Sequence, residues 1–328
     1  MCGQNRLSGA VKFPCVSVII LNWNNAPDTL ECIDSVVSLD YPNFTIVVVD
    51  NGSTDGSVSV VKARFPEITV LENNDNLGYA EGNNIGIRYA LEHGADYALV
   101  LNNDTVVDSK MLMELVAVAR SVPLAGMVGP KVCCLEQPNT IMAAGSKIDW
   151  KRGIISHLDM GQRESELSRE EATPRKADFL IGCCYLASRQ MIERVGILDA
   201  RFYLNFEDID WCIRVARAGF RVLYAPKAKI WHRVSATLGL GSPANTYYMT
   251  RNALLFFRIH APGIWKFLAP LKIMLRTLRT IGAWTLKSKY RTGVFRRKRD
   301  ANILALRDFF LSRFGRMGTD VARVCYGR

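Results

Sequence analysis

Four short apolar runs constrain this chain more than any other feature: residues 16–21, 44–50, 68–71 and 97–101. Each is brief and rich in β-branched or aliphatic residues, so each reads as a strand buried on both faces. Between them lie segments with helical spacing, over 29–39, from the turn at 51–56 to Arg64, and from Ala80 to His93, where Gly94 stops the helix. Strand and helix alternate, and that order predicts an α/β fold with a mainly parallel central sheet flanked by helices. Asp108 is a candidate N-cap for a further helix reaching Arg120. Residues 178–187 read as another strand, 207–218 as a helix closed by Gly219, and 221–224 as strand-like. The charged stretch 159–177 reads as a mobile surface loop.

Three polar clusters close the strands: Asn22 with Asn24, then Asp50, then Asn102 with Asp104. Asn and Asp are also ordinary turn formers. Open α/β sheets bind ligands beyond the carboxyl ends of their strands, however, and three such clusters in one sheet would converge on one crevice. No GxGxxG follows the first strand and no GxxxxGK[ST] occurs, which removes support for Rossmann-type dinucleotide binding and for a P-loop. Gly78, Gly82 and Gly86 recur every four residues, the spacing of one helix face, and predict close packing of that helix on the sheet.

The chain has 328 residues, 49% of them hydrophobic, enough for a sizeable core. Its nine cysteines are scattered, with no CxxC spacing, which suggests neither a disulfide framework nor a zinc site and fits a reducing cytosol. The opening residues 1–14 carry no apolar run of signal-peptide length, and no stretch of about 18 apolar residues suggests a membrane span. Charge is uneven. Residues 251–328 hold 18 Lys and Arg against 3 Asp and Glu, whereas residues 1–250 hold 24 against 28. A mildly acidic body with a basic tail points to an anionic surface as the tail's partner.

Five motifs, in order, make the sequence recognisable: VIILNWN (Val18 to Asn24), VVDNGSTDGS (Val48 to Ser57), NLGYAEGNN (Asn76 to Asn84), LNND (Leu101 to Asp104) and FEDIDW (Phe206 to Trp211). Together they resemble glycosyltransferase family 2, and within it the rhamnosyltransferase-like bacterial enzymes, over roughly residues 16–235. The resemblance implies a GT-A fold and an inverting, metal-dependent transfer of a sugar from a nucleotide-sugar to a hydroxyl. It implies that Asp50 holds the nucleoside base and that Asn22, Asn24, Asn76, Asn102 and Asp104 line the donor pocket. Where many relatives carry Asp-x-Asp, this chain carries Asn102-Asn103-Asp104, which leaves Asp104 as the carboxylate for a divalent cation, Mg²⁺ or Mn²⁺, with His232 completing the site. A hard cation accepts such a set when the substrate's own phosphates add oxygens.

Direct displacement at a sugar C1 needs a base for the acceptor hydroxyl. By resemblance that base is Asp208, with Glu207 as the alternative or as an acceptor-binding partner. Acids in a first helical turn also satisfy the helix dipole, at about 0.3–1 kcal/mol each. Gly182 and Trp211 are expected on the acceptor side. In the tail, 254–257, 264–268 and 271–278 mix apolar and basic residues at helical spacing, as helices in a membrane interface do. The expected domains are a tail at 1–15, a GT-A catalytic domain at 16–240 and a basic helical region at 241–328. The expected setting is cytoplasmic, peripheral on the inner face of the membrane. The donor would be a dTDP- or UDP-sugar, rhamnose foremost, and the acceptor a lipid-linked or cell-surface glycan. Nucleic acid is not expected as a partner. A non-catalytic nucleotide-sugar-binding scaffold of an assembly complex is the alternative.

Overall fold

The computed structural model describes residues 13–166, 173–233, 241–290 and 292–327. Its first half alternates as the periodicity requires. In order come β1 (Val16–Asn22), α1 (Ala26–Val37), β2 (Phe44–Asp50), α2 (Ser57–Arg64), β3 (Thr69–Glu72), α3 (Gly78–Glu92), β4 (Tyr97–Asn102), β5 (Thr105–Val107) and α4 (Met111–Ser121). Then follow β6 (Ala125–Cys134), β7 (Ile141–Ala143), β8 (Ser146–Asp149), β9 (Ile154–His157), β10 (Arg175–Lys176), β11 (Cys184–Ser188), α5 (Arg189–Val195), α6 (Glu207–Arg217) and β12 (Arg221–His232). Four helices end the chain: α7 (Pro243–His260), α8 (Trp265–Leu286), α9 (Gly293–Phe310) and α10 (Thr319–Tyr326).

The main sheet runs β10-β12-β6-β11-β4-β1-β2-β3. Its half from β4 to β3 is parallel. β11 enters antiparallel between β4 and β6, and β12 lies parallel to β6, so the sheet as a whole is mixed. Side chains alternate between its faces. Val18 and Ile20 pack with Ile33 and Val36 of α1 and Leu112 and Leu115 of α4. Ile19, Val47 and Val49 pack on the opposite face with Ile87 of α3, and that core continues through Trp211 to Leu254–Phe257 of α7. α3 lies close because a Cβ on Gly82 would stand 2.7 Å from Leu21, and one on Gly86 would stand 2.3 Å from Ile19.

Several expectations change. α1 begins at Ala26, with a proline in its first turn, where the missing N–H costs nothing. α4 begins at Met111, and Asp108 ends the preceding strand region while its carboxylate accepts the Lys110 N–H at 3.0 Å. Of residues 178–187 only the portion from Cys184 joins a strand. Before it the Asp178 carboxylate takes the Ile148 N–H and the chain turns at Gly182–Cys183. The described parts of 159–177 are pinned rather than loose: Arg175 pairs with Asp159 at 2.7 Å, and Glu164 bridges Lys131 and Lys229. Residues 167–172 of that stretch, and 1–12 of the expected tail, lie outside the described residues. Cys15 is disulfide-bonded, which the scattered cysteines did not suggest.

The C-terminal region divides. Residues 254–257, expected at a membrane interface, are buried in the main core, with Phe256 stacked on Trp150. Removing one such ring would cost about 3–5 kcal/mol. α8 behaves differently: Ile264, Phe267, Leu271, Leu275 and Leu278 remain exposed along one line. Among the described residues no helix is long and apolar enough to cross a membrane.

Candidate active site

Parallel pairing aligns the strand ends. Asn22 stands opposite Asp50, and Leu21 opposite Asn102, so the polar termini of β1, β2 and β4 share one edge. There Asn22 Nδ2 donates to Asp50 Oδ1 at 2.8 Å, and the Ser53 N–H donates to Asp50 Oδ2 at 2.9 Å. Asn22 Oδ1 accepts from the Thr29 hydroxyl at 2.8 Å, and Asn103 Nδ2 donates to the same hydroxyl at 2.9 Å. Asn24 holds φ at 51°, a left-handed conformation Asn tolerates, and its Oδ1 accepts the Thr54 N–H at 2.7 Å. Asn76 Oδ1 takes the Gly78 N–H, Asn51 Nδ2 and the Tyr203 hydroxyl. Asn22 and Asp50 thus bond directly, Asn24 joins them through the Ser53 hydroxyl, and Asn76 braces the neighbouring Asn51.

A second corner forms where β5 pairs with β12, setting His232 opposite Thr105. His232 Nε2 lies 3.1 Å from Asp104 Oδ1 and 3.5 Å from Asn102 Nδ2. Asn102 Oδ1, Asp104 Oδ1 and His232 Nδ1 are buried without a hydrogen-bond partner. The Asp104 carboxylate and the His232 ring, facing each other with an unpartnered buried oxygen from Asn102 beside them, would be the groups to hold a divalent ion such as Mn²⁺ or Mg²⁺. Among the described residues no group of three His, Cys, Asp or Glu side chains is set to hold a metal ion. A cation here would therefore draw its remaining ligands from substrate or water.

The third element is the acid pair at the start of α6. The chain reaches it through Tyr203, Asn205 and Phe206, with φ of 62°, 67° and 77°. Left-handed backbone at non-glycine residues costs roughly 1–3 kcal/mol each and is kept where surrounding contacts enforce it. Glu207 is buried and its Oε2 has no partner. Asp208 lies against Gly182, where a Cβ would stand 3.0 Å from Oδ2. Burial pushes the Asp208 carboxyl up to about 6, against the pull of the Ile209 and Gly182 N–H groups. Burial, reinforced by the Asp208 charge, holds Glu207 well above the usual carboxylate range. The Tyr79 hydroxyl donates to the Gly182 carbonyl. Burial raises the phenols of Tyr79 and Tyr185, and the charges of Glu207 and Asp208 raise them further.

Gly182–Cys183 joins the two carboxylate corners. The Cys183 carbonyl accepts the Asn102 N–H at 2.9 Å, and Gly182 abuts Asp208. The Cys183 thiol is raised by burial and by its neighbours Cys184, Asp104 and Asp208, so both carboxylates act on one side chain.

Trp211 does not join the site. It is fully buried, gives its N–H to the Gly196 carbonyl at 2.8 Å and meets the Tyr185 ring edge-on. α6 turns its Ile209, Trp211, Cys212 and Val215 inward, so Trp211 belongs to the core face of the helix and Tyr185 supplies its partner. Asp210 also faces inward, paired with Arg214 and His260, each at 2.7 Å. Sequence reasoning missed Tyr79, Tyr185, Thr29 and Asn103. Tyr79 stood within the third motif, but Tyr185 lies in an apolar run that reads as plain core.

Comparison with known proteins shows the family and the fold. The profile described as "Glycosyl transferase family 2" matches residues 17–196. A dTDP-rhamnosyl transferase, RfbF, of Shigella flexneri is 25% identical over 255 residues, covering 74% of this chain and 80% of its own. An N-acetylglucosaminyl-diphospho-decaprenol L-rhamnosyltransferase of Mycobacterium tuberculosis is 25% identical over 279 residues, covering 79% and 88%. Among solved structures, the mannosyltransferase PcManGT of Pyrobaculum calidifontis, in complex with GDP-Man and Mn²⁺, superposes with a TM-score of 0.54 at 18% identity, covering 92% of this chain and 88% of its own. That likeness extends the shared fold into the C-terminal helices.

Proposed function

The chain belongs to glycosyl transferase family 2, and we propose that it is an inverting, metal-assisted rhamnosyltransferase using a dTDP- or UDP-linked donor and a lipid-linked or cell-surface glycan acceptor. One observation carries the reading: the single turn at Gly182–Cys183 meets both corners, its Cys183 carbonyl accepting the Asn102 N–H beside Asp104 and its Gly182 lying against Asp208. The donor's diphosphate then lies at the Asp104 and His232 corner, and its C1 points toward Asp208. The acceptor hydroxyl gives its proton to the Asp208 carboxylate as its oxygen bonds to C1. The bond from C1 to the diphosphate oxygen breaks with its electrons leaving on the diphosphate, and the configuration at C1 inverts. With its carboxyl at about 6, Asp208 is ionised at neutral pH yet takes a proton more readily than an ordinary Asp. Glu207, held above the usual carboxylate range by burial and by the Asp208 charge, lies beside it as the acceptor-side partner. A divalent cation held by Asp104 and His232 would neutralise the charge gathering on the departing diphosphate. The names of the Shigella and mycobacterial relatives support rhamnose and a lipid-linked acceptor.

The setting we propose is cytoplasmic, peripheral on the inner face of the membrane, with α8 as the contact. Ile264, Phe267, Leu271, Leu275 and Leu278 recur every three or four residues and are between 44% and 62% exposed. Lys266, Arg279, Lys287 and Lys289 are exposed beside or just beyond this line. A helix with an apolar row flanked by bases lies in the plane of an anionic bilayer surface.

The test incubates purified protein with dTDP-rhamnose and a panel of UDP-sugars, Mn²⁺ or Mg²⁺, and a polyprenyl-diphosphate-linked sugar. The product's anomeric configuration is read by NMR. Inverted rhamnosyl product is expected. Nucleotide-sugar binding with no turnover of any donor would favour the scaffold alternative. Flotation with phosphatidylglycerol vesicles tests α8: the protein should float, and Leu271→Glu with Leu278→Glu should remain in solution.

A further inference from the structure

We infer that Asn252, oriented by Arg251, is the positioning residue for the acid pair: one side-chain amide on α7 holds the left-handed loop that aims Glu207 and Asp208. The inference rests on the proposed role of Asp208. Asn252 is fully buried, and its Nδ2 faces three carbonyls, those of Phe202 at 2.7 Å and of Leu204 and Asn205 at 2.9 Å. Its orientation is not free. Arg251 Nε donates to Asn252 Oδ1 at 3.0 Å, so the oxygen must face the guanidinium and the NH₂ must face the loop. Arg251 is itself fully buried, bonded to the Tyr247 hydroxyl at 3.2 Å and to the Phe202 carbonyl at 3.4 Å, with its guanidinium over the rings of Tyr247, Tyr248 and Phe314.

The remaining loop carbonyls are also taken. That of Tyr203 accepts the Tyr79 and Ala80 N–H groups at 2.7 and 3.2 Å, and that of Phe206 accepts the Asp210 N–H at 2.9 Å. All five carbonyls from Phe202 to Phe206 are therefore bound, the two N–H bonds of Asn252 being shared among three of them and Arg251 also donating to that of Phe202. A loop with three left-handed non-glycine residues has lower-energy shapes open to it, and Asn252 forbids them. Released, the loop would carry Glu207 and Asp208 off line, because α6 begins at its last residue. The Asn22–Asp50 pair and the Asp104–His232 corner, on other elements, would stay in place, and of the donor-side residues only Asn76 would lose a loop contact, that of the Tyr203 hydroxyl.

That separation sets the test. In the full chain, Asn252→Asp, which turns the donor group into an acceptor facing three carbonyls, and Asn252→Ala should lower kcat about 10²-fold, the scale of a misplacement near 1 Å. The donor KM should change less than about twofold, and Asn252→Ser, which keeps one donor, should recover part of the loss. Asn302→Ala is the control. Asn302 is as deeply buried, bonded to Thr250 on the same helix at 2.7 Å, but does not touch the loop. It should lower the melting temperature and spare kcat. Equal kcat losses in the Asn252 and Asn302 variants, a parallel rise in donor KM, or an Asn252 variant with unchanged kcat would each overturn the inference. So would failure of every Asn252 variant to fold while Asn302→Ala folds. Asp208→Asn is measured beside them: if it keeps its rate, the base assignment fails independently of Asn252.

Discussion

The strand-end cluster and the acid pair occupy one site by opposite means. Asp50 meets Asn22 and the Ser53 N–H on β2's own edge, in backbone that continues regular strands. Glu207 and Asp208 follow a strained loop, the first buried and the second half-buried, and Glu207 includes an oxygen with no hydrogen-bond partner. The first arrangement is satisfied without substrate and presents a fixed surface. The second is left electrostatically uncomfortable, which keeps a carboxylate poised to take a proton. A binding surface profits from satisfied groups, whereas a reactive group profits from the lack of them.

That contrast can be broken in four ways. The largest expected effect is Asp208→Asn: kcat should fall by about 10²–10⁴ while donor KM changes little, and a steady-state assay that found both altered equally would blur the two regions. Asp50→Asn should do the reverse. Losing a charge-assisted bond of about 1.5–3 kcal/mol should raise donor KM roughly ten- to a hundredfold and leave kcat nearly intact. Third, kcat against pH should drop about tenfold per unit below pH 6, because Asp208 becomes protonated there; a profile flat down to pH 5 would contradict the assignment.

The smallest effect is on stability. Asp208 moves from its usual 3.8 to about 6 on folding, so the folded state binds that proton more tightly. This favours folding below pH 4, and the benefit is lost as pH rises through 6. At pH 7 the buried charge costs about 1–3 kcal/mol. Asp208→Asn should therefore melt a few degrees higher than the parent at pH 7, with the gap closing toward pH 4. Asp50→Asn should melt lower, since its partners are left unmet.

Legibility in the sequence followed the same divide. Strands with continuous apolar runs and turn chemistry after them, such as 44–50, were readable to the residue because period and punctuation agree. β6 was not, since Gly129 and Pro130 interrupt it and its pairing partners come from far along the chain. The strand-end Asn and Asp stood out by position alone. Tyr185 did not, because only the folded chain sets its phenol beside Glu207 and Asp208. Trp211 misled for the same reason: an aromatic beside two acids looks like a substrate platform until its indole is found bonded to Gly196. The tail shows the limit most plainly. Residues 254–257 are an apolar run between Arg251 and Arg258, and 271–278 set leucines among Lys272 and Arg276, yet the first enters the core of the catalytic fold and the second keeps its leucines in solvent. Which face a helix buries depends on what lies beneath it, and the sequence of that helix does not contain the answer.

A crystal structure of the Asp208→Asn protein with Mn²⁺ and its intact nucleotide-sugar donor would test the shared pocket most directly. The account predicts anomalous scattering from the metal between Asp104 and His232, the diphosphate against it, and the sugar C1 facing residue 208 beside Gly182. A donor bound with C1 turned away from Gly182, or a metal away from Asp104, would contradict it.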